Sequence, residues 1–144
     1  MFSKACQYGI KASVFIASQS ALGIRTSLKD IAFNINSPEA FTAKILHALA
    51  KQQILTSLKG QTGGFEIPEG RAENIKLSDI VSAIDGNSIY EGCALGHESC
   101  DANQPCPMHH KFVGIRNDLK IMLENTSLHE MANGLVLEGT FLKR

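Results

Sequence analysis

The stretch TSLKDIAFNINSPEAFTAKILHALAKQQILTSLKGQTGGFEI, residues 26–67, decides the fold. Thr26 or Ser27 can cap a helix, and Asp30 stands about three residues in, close to a capping-box pattern. This short helix runs out at Asn34-Ile35-Asn36. Ser37-Pro38-Glu39 opens the next one, with Ser37 as N-cap, Pro38 at the first helical position and Glu39 in the first turn. Phe41, Ile45, Leu46, Leu49 and Ala50 hold the helical period as far as Lys51. Two short helices joined by a tight turn predict a helix-turn-helix, its second helix placed for a major groove. Residues 54–58 then read as a strand, 59–64 as a turn and 65–67 as a second strand ended by Pro68. A hairpin directly after a helix-turn-helix is a wing.

Outward from this stretch the chain is mostly helical. Residues 3–21 predict a helix apolar on more than one side, hence buried on more than one side, with Gly23 as its C-terminal cap. Residues 69–76 form a link, and 77–84 predict a further helix closed by Asp85-Gly86. From Phe112 to about Asn133 one long helix is expected, with Phe112, Ile115, Leu119, Met122, Leu123, Leu128 and Met131 as its apolar stripe. A partner subunit is the expected cover for that stripe, and the chain's own first helix is the alternative. The predicted fold is mainly α with a small β-hairpin wing. Residues 1–76 are read as a winged helix-turn-helix DNA-binding domain. Residues 77–144 carry a helix, a cysteine-rich loop over 88–110 and a dimerisation helix over 112–133.

Composition agrees with a globular chain that needs no disulfide staples: 144 residues and 44% hydrophobic. No apolar run is long enough to span a membrane. Lys11 interrupts the apolar N-terminal stretch, which therefore reads as an amphipathic helix rather than a signal peptide. A cytoplasmic location is expected, and in that reducing compartment clustered cysteines point to ligands or sensors. The net charge is zero, but it is unevenly spread. Residues 1–68 hold seven basic and three acidic residues, while 69–144 hold seven basic and eleven acidic ones. A basic module that meets phosphate and an acidic module with another task fit that asymmetry.

The second distinctive stretch is CALGHESCDANQPC, residues 93–106, followed by Pro107-Met108-His109-His110. Structural zinc sites favour closely spaced cysteine pairs, and the spacing C-x(6)-C-x(5)-C contains none. Three thiols on a longer loop can wrap an iron–sulfur cluster, which takes about four ligands. Cys93, Cys100 and Cys106 supply three. His109 leads the candidates for the fourth, ahead of His110 or His97 and then Cys6, which also reads as a small buried hydrophobe. Zinc remains the alternative metal.

For DNA, the exposed start of the second helix offers Ser37, Glu39, Ala40, Thr42, Ala43 and Lys44, and the wing tip offers Lys59, Gly60, Gln61 and Thr62. No Arg, Asn or Gln lies in the first turn and a half of that helix, so part of the reading falls to the wing and to DNA shape. No nucleophile–base pair or paired carboxylates point to an enzyme.

The start MFSKACQYGIKA, the segment SLKDIAFNINSPEAFTAKILHALAKQQIL, the wing LKGQTGGF and the triple-cysteine loop before a long helix together resemble the Rrf2 family of bacterial transcription regulators. Within it the chain is most similar to the iron–sulfur, IscR- and NsrR-like branch. That resemblance implies a homodimer holding a 2Fe–2S or 4Fe–4S cluster through three loop cysteines, here Cys93, Cys100 and Cys106. Cluster state would then alter DNA affinity in response to iron–sulfur status, oxygen or nitric oxide. A histidine three residues after the last cysteine, a ligand in some members, is His109. Other members use an acidic residue of the partner subunit, where this chain has Gln7. Three departures stand out: a first cysteine spacing one residue longer, Ala43 in place of a base-reading acid, and Gln61-Thr62 where many members have Pro-Gly. They bar any transfer of the operator sequence. Two alternatives stay open: a cluster-free thiol or zinc sensor of the same fold, and an iron–sulfur electron carrier or cluster-delivery protein.

Overall fold

The helix α1, Lys4–Ala21, is the axis on which the rest is hung. Ser3 caps it, its Oγ accepting from the Cys6 amide at 3.0 Å. Gly23, at φ +73°, follows its end as the sequence predicts. The computed structural model describes residues 1–143. Gly9, Ala12, Ser13, Val14, Ile16 and Ala17 of α1 are all buried, as a helix apolar on several sides requires. Four helices pack around it: α2 (Leu28–Ile35), α3 (Glu39–Lys51), α4 (Leu77–Asp85) and α7 (Leu128–Leu137). At Gly9 an added Cβ would stand 2.1 Å from Ile84 Cδ1, so α4 crosses α1 where no side chain intervenes.

Ser27 caps α2, accepting from the Asp30 amide, and Asn36 ends it in the left-handed conformation at φ 54°. The start of α3 departs from expectation. Pro38, not Ser37, is the N-cap, and no side chain caps the helix end. The Thr42 hydroxyl turns back along the helix, Oγ1 donating to the Pro38 carbonyl at 2.9 Å.

The wing is a two-stranded antiparallel hairpin, β1 (Thr56–Leu58) with β2 (Gly64–Glu66), in the register Thr56 to Glu66 and Leu58 to Gly64. Its first strand starts later than the sequence suggests. The Ile54 amide donates to Leu49 O at 3.0 Å, so Ile54 closes α3 before the strand begins. Thr26 pairs with Phe65 through two backbone bonds and lashes the wing to the entry of α2.

The second half differs more. The expected loop opens with one helical turn, α5 (Ser88–Glu91). The expected single helix over 112–133 is two: α6 (His109–Asn125) and α7. Thr126 is extended, and Ser127 caps α7 by accepting from Glu130 N at 3.1 Å. Two strand-like bonds fix the break, Leu77 N to Thr126 O at 3.0 Å and Leu128 N to Ile75 O at 2.8 Å. Beyond it, Leu128 and Ala132 are buried in the core with α1. On α6, by contrast, Ile115, Ile121 and Met122 are exposed.

Cys6 is fully buried on α1 beside Asp85. Asp85 also accepts from the Ser3 amide at 3.0 Å and from the Ser3 hydroxyl. Burial first, then the Asp85 charge and hydrogen bond, push the Cys6 thiol from its ordinary 9.0 up to about 12. Above pH 9 the unfolded chain therefore sheds this proton while the folded chain keeps it. The stability that rests on the buried thiol is full below that pH and is lost as pH rises towards 12, at up to about 1.4 kcal/mol per pH unit. Urea midpoints measured between about pH 8 and pH 10 are expected to fall more steeply for the wild type than for Cys6→Ala. Parallel slopes would show that Cys6 contributes nothing.

Candidate nucleic-acid interface and metal centre

Two surfaces carry the residues singled out in the sequence. On the first, Glu39, Ala40 and Lys44 are exposed along α3, and Lys59, Gly60, Gln61 and Thr62 are exposed at the wing tip. Ser37 and Ala43 are half-buried. Thr42, expected on the exposed face, has no accessible surface, and its hydroxyl is spent on the Pro38 carbonyl. Its place is in the core edge of the helix, not in a groove. Two residues escaped the sequence reading. His47 and Lys51 are exposed and follow Ala40 and Lys44 at helical spacing, so the four share one face. The signal was the same 3.6-residue period that marks the buried side, read from its opposite face.

Arg25 braces the wing. Its Nη1 donates to Thr62 O at 2.8 Å and its Nε to Glu66 Oε2 at 3.3 Å, holding both the tip and the second strand. The turn itself is tightly folded. A Cβ on Gly63 would lie 2.2 Å from Leu58 O, and Gly60 sits at φ +101°.

The second surface is the cysteine loop. Cys93, Cys100 and Cys106 are half-buried free thiols. They line one cavity of about 420 Å³ together with His97, Asp101 and His109. His109, in the first turn of α6, is 7% exposed, and its Nδ1 lies 3.2 Å from Cys100 Sγ. The fourth-ligand candidates are thereby sorted by place. His109 and His97 face the cavity, while His110 is exposed beside it with its ring edge-on to that of His109. Cys6 is sealed in the core on α1, protonated and away from the loop thiols. Gln7 is exposed, its amide donating to Phe2 O at 3.1 Å.

The loop's own backbone favours the thiolate of Cys93. The His97 amide first, then that of Leu95, lowers the Cys93 thiol below its ordinary value, with the Cys106 side chain adding to the effect. Arg116, which sequence reasoning also missed, reaches from α6 to donate through Nη2 to Cys100 Sγ at 3.0 Å. Nothing in a lone arginine within a helical stripe marks it. Only the fold sets it against a sulfur sixteen residues earlier. Among the described residues no group of His, Cys, Asp or Glu stands at the tight spacing of a preformed single-ion site.

Residues 2–134 match the family profile Rrf2, described as an iron-dependent transcriptional regulator. The chain belongs to the Rrf2 family. A protein of Aquifex aeolicus named an HTH-type transcriptional regulator is 27% identical over 135 residues, covering 92% of each chain. A Mycobacterium tuberculosis protein of the same description is 26% identical over 137 residues, 94% of this chain and 83% of that one. Among solved structures, CymR, described as the global cysteine regulator of Bacillus subtilis, superposes with a TM-score of 0.74 at 22% identity. That match covers 92% of this chain and 96% of CymR. The IscR of T. potens gives 0.73 at 18% identity, covering 97% and 91%. Such likeness speaks for the winged-helix fold alone, and it spans both a cysteine regulator and an IscR. This Rrf2 chain is thus a DNA-binding transcriptional regulator and not an enzyme. None of its described helices is long and apolar enough to cross a membrane.

Proposed function

We propose that this Rrf2 regulator is a homodimer whose affinity for operator DNA is switched by an iron–sulfur cluster held by Cys93, Cys100, Cys106 and His109. The observation that carries this reading is the cavity into which all three loop thiols and His109 converge. The chemistry of the donor set fits the group: three free thiols and one imidazole lining one cavity. When bound, a cluster supplies a group that iron supply, oxygen or nitric oxide can alter. Everything else falls to the chain itself.

In this reading residues 1–76 read DNA and residues 77–144 sense. Ala40, Ala43, Lys44 and Glu39 of α3 face the groove, with Ser37 at its edge, and Lys59 to Thr62 of the wing lie along the phosphates. Dimerisation uses α6. Ile115 and Met122 are exposed seven residues apart on one face, with Ile121 next to it, an apolar surface that a second copy would cover. The loop ends directly in α6, because the His109 amide donates to Cys106 O at 3.0 Å. A change in the loop therefore tilts the start of the dimer helix and alters the spacing of two winged helices. Half-sites lie about one helical turn apart, so a small rotation spoils the register.

The chain purified without oxygen is expected to be a brown dimer containing iron and sulfide, with visible absorbance that fades in air or nitric oxide. A dimer that stays colourless after reconstitution with iron and sulfide overturns the cluster reading. A second reading, a cluster-free thiol or zinc sensor, is favoured by the three free thiols on one exposed loop. Elemental analysis for iron, sulfide and zinc separates the two.

A further inference from the structure

His109 and Arg116 stand seven residues apart on α6, about two turns, and so project from the same side. Both reach Cys100, His109 at 3.2 Å and Arg116 at 3.0 Å. The second terminal nitrogen of the Arg116 guanidinium donates to the carbonyl of Gly92. Gly92 ends α5 and immediately precedes Cys93. One side chain thus ties both the entrance of the loop and its middle cysteine to the helix that follows it.

We infer that Arg116 is a positioning residue: it pins the cysteine loop to α6 before a cluster is loaded and sets a positive charge beside Cys100 once it is there. The charge half of this inference rests on the cluster reading above; the pinning half does not. Two directed donors from one rigid fork explain why the residue is arginine. A lysine could supply the charge but not two separate nitrogens aimed at the two acceptors. Ordering a long loop costs conformational entropy, and a pin that orders it in advance lowers that cost at loading. Hydrogen bonds to ligand sulfurs and nearby charges also set the potential of an iron–sulfur group. Because Arg116 grips Cys100 from the proposed dimer helix, a displacement of Cys100 passes directly to α6.

The test uses Arg116→Gln and Arg116→Lys in the full chain. In the metal-free protein, amide exchange across residues 92–100 is expected to quicken about tenfold in both variants. Exchange in α7 should stay at the wild-type rate and serves as the internal reference. In the reconstituted protein, Arg116→Gln should move the reduction potential to more negative values, because the reduced form loses a stabilising charge, while Arg116→Lys stays near wild type. Wild-type exchange in Arg116→Gln overturns the pin, and equal potentials in all three proteins overturn the charge role. A wild-type chain that takes up no iron or sulfide removes the proposed function instead, and the exchange comparison still decides the pin.

Discussion

Cys100→Ala is expected to abolish uptake of iron and sulfide while leaving the helical content and the melting transition close to wild type. Cys100 sits at the centre of the site, between the other two loop cysteines in the sequence. It alone of the three is met by side chains from α6, His109 at 3.2 Å and Arg116 at 3.0 Å. Its removal leaves two thiols and a histidine, too few for a cluster that takes about four ligands. The loop lies outside the buried core, whose members come from α1 to α4, α6, α7 and the strand flanks. The fold should therefore stand without it. Iron and sulfide analysis with circular dichroism on the same sample reads both. Full cluster content in the variant would remove Cys100 from the ligand set. Collapse of the fold would instead make the site a structural metal centre.

Gly63→Ala is expected to weaken binding to operator DNA by about tenfold or more, roughly the worth of a single well-made pairing between a side chain and a base, with little change in thermal stability. The cause is space rather than backbone conformation. A methyl group there would stand 2.2 Å from Leu58 O and 2.8 Å from Lys59 C, backbone atoms that cannot swing aside. The wing turn must open, and with it go the positions of Lys59, Gln61 and Thr62 and the Arg25 bond to Thr62 O. The hairpin is peripheral and its tip exposed, so the core does not register the change. Titration of a labelled promoter duplex with the two proteins measures the weakening, and equal affinities would show that the wing tip plays no part in binding.

What the sequence reveals here follows from how local each signal is. The cap at Ser27, the helix end at Asn36, the wing turn and the glycine stop after α1 are written in neighbouring residues, and the fold honours them. The break at Thr126 is written too, in Ser127-Leu-His-Glu130, but the apolar stripe on either side of it reads as continuous. A stripe records which residues are buried and not against what. Here Leu123 and Leu128 enter the chain's own core, whereas Ile115 and Met122 stay outside. Thr42 fails for a related reason. Its side chain is polar and near the helix start, yet it sits at the helical phase of Ile45, Leu46 and Leu49, and phase prevails over polarity. The three cysteines and His109, offered by the sequence as candidate ligands, line one cavity. Arg116 is not legible in the sequence, because its partners come from the far side of a long loop and only tertiary packing sets it beside them.

The position of α1 carries a last consequence. Helices of both halves pack on it, α2 and α3 from the first and α4 and α7 from the second. Gly9 admits Ile84, and Ser3 and Cys6 are both fastened to Asp85. The proposed division near residue 76 is accordingly one of task and not of assembly. A chain severed there would bare the surface of α1 that α4 and α7 cover. The two halves are expected to melt as one body, so that whatever steadies the proposed sensing half also firms the half proposed to read DNA.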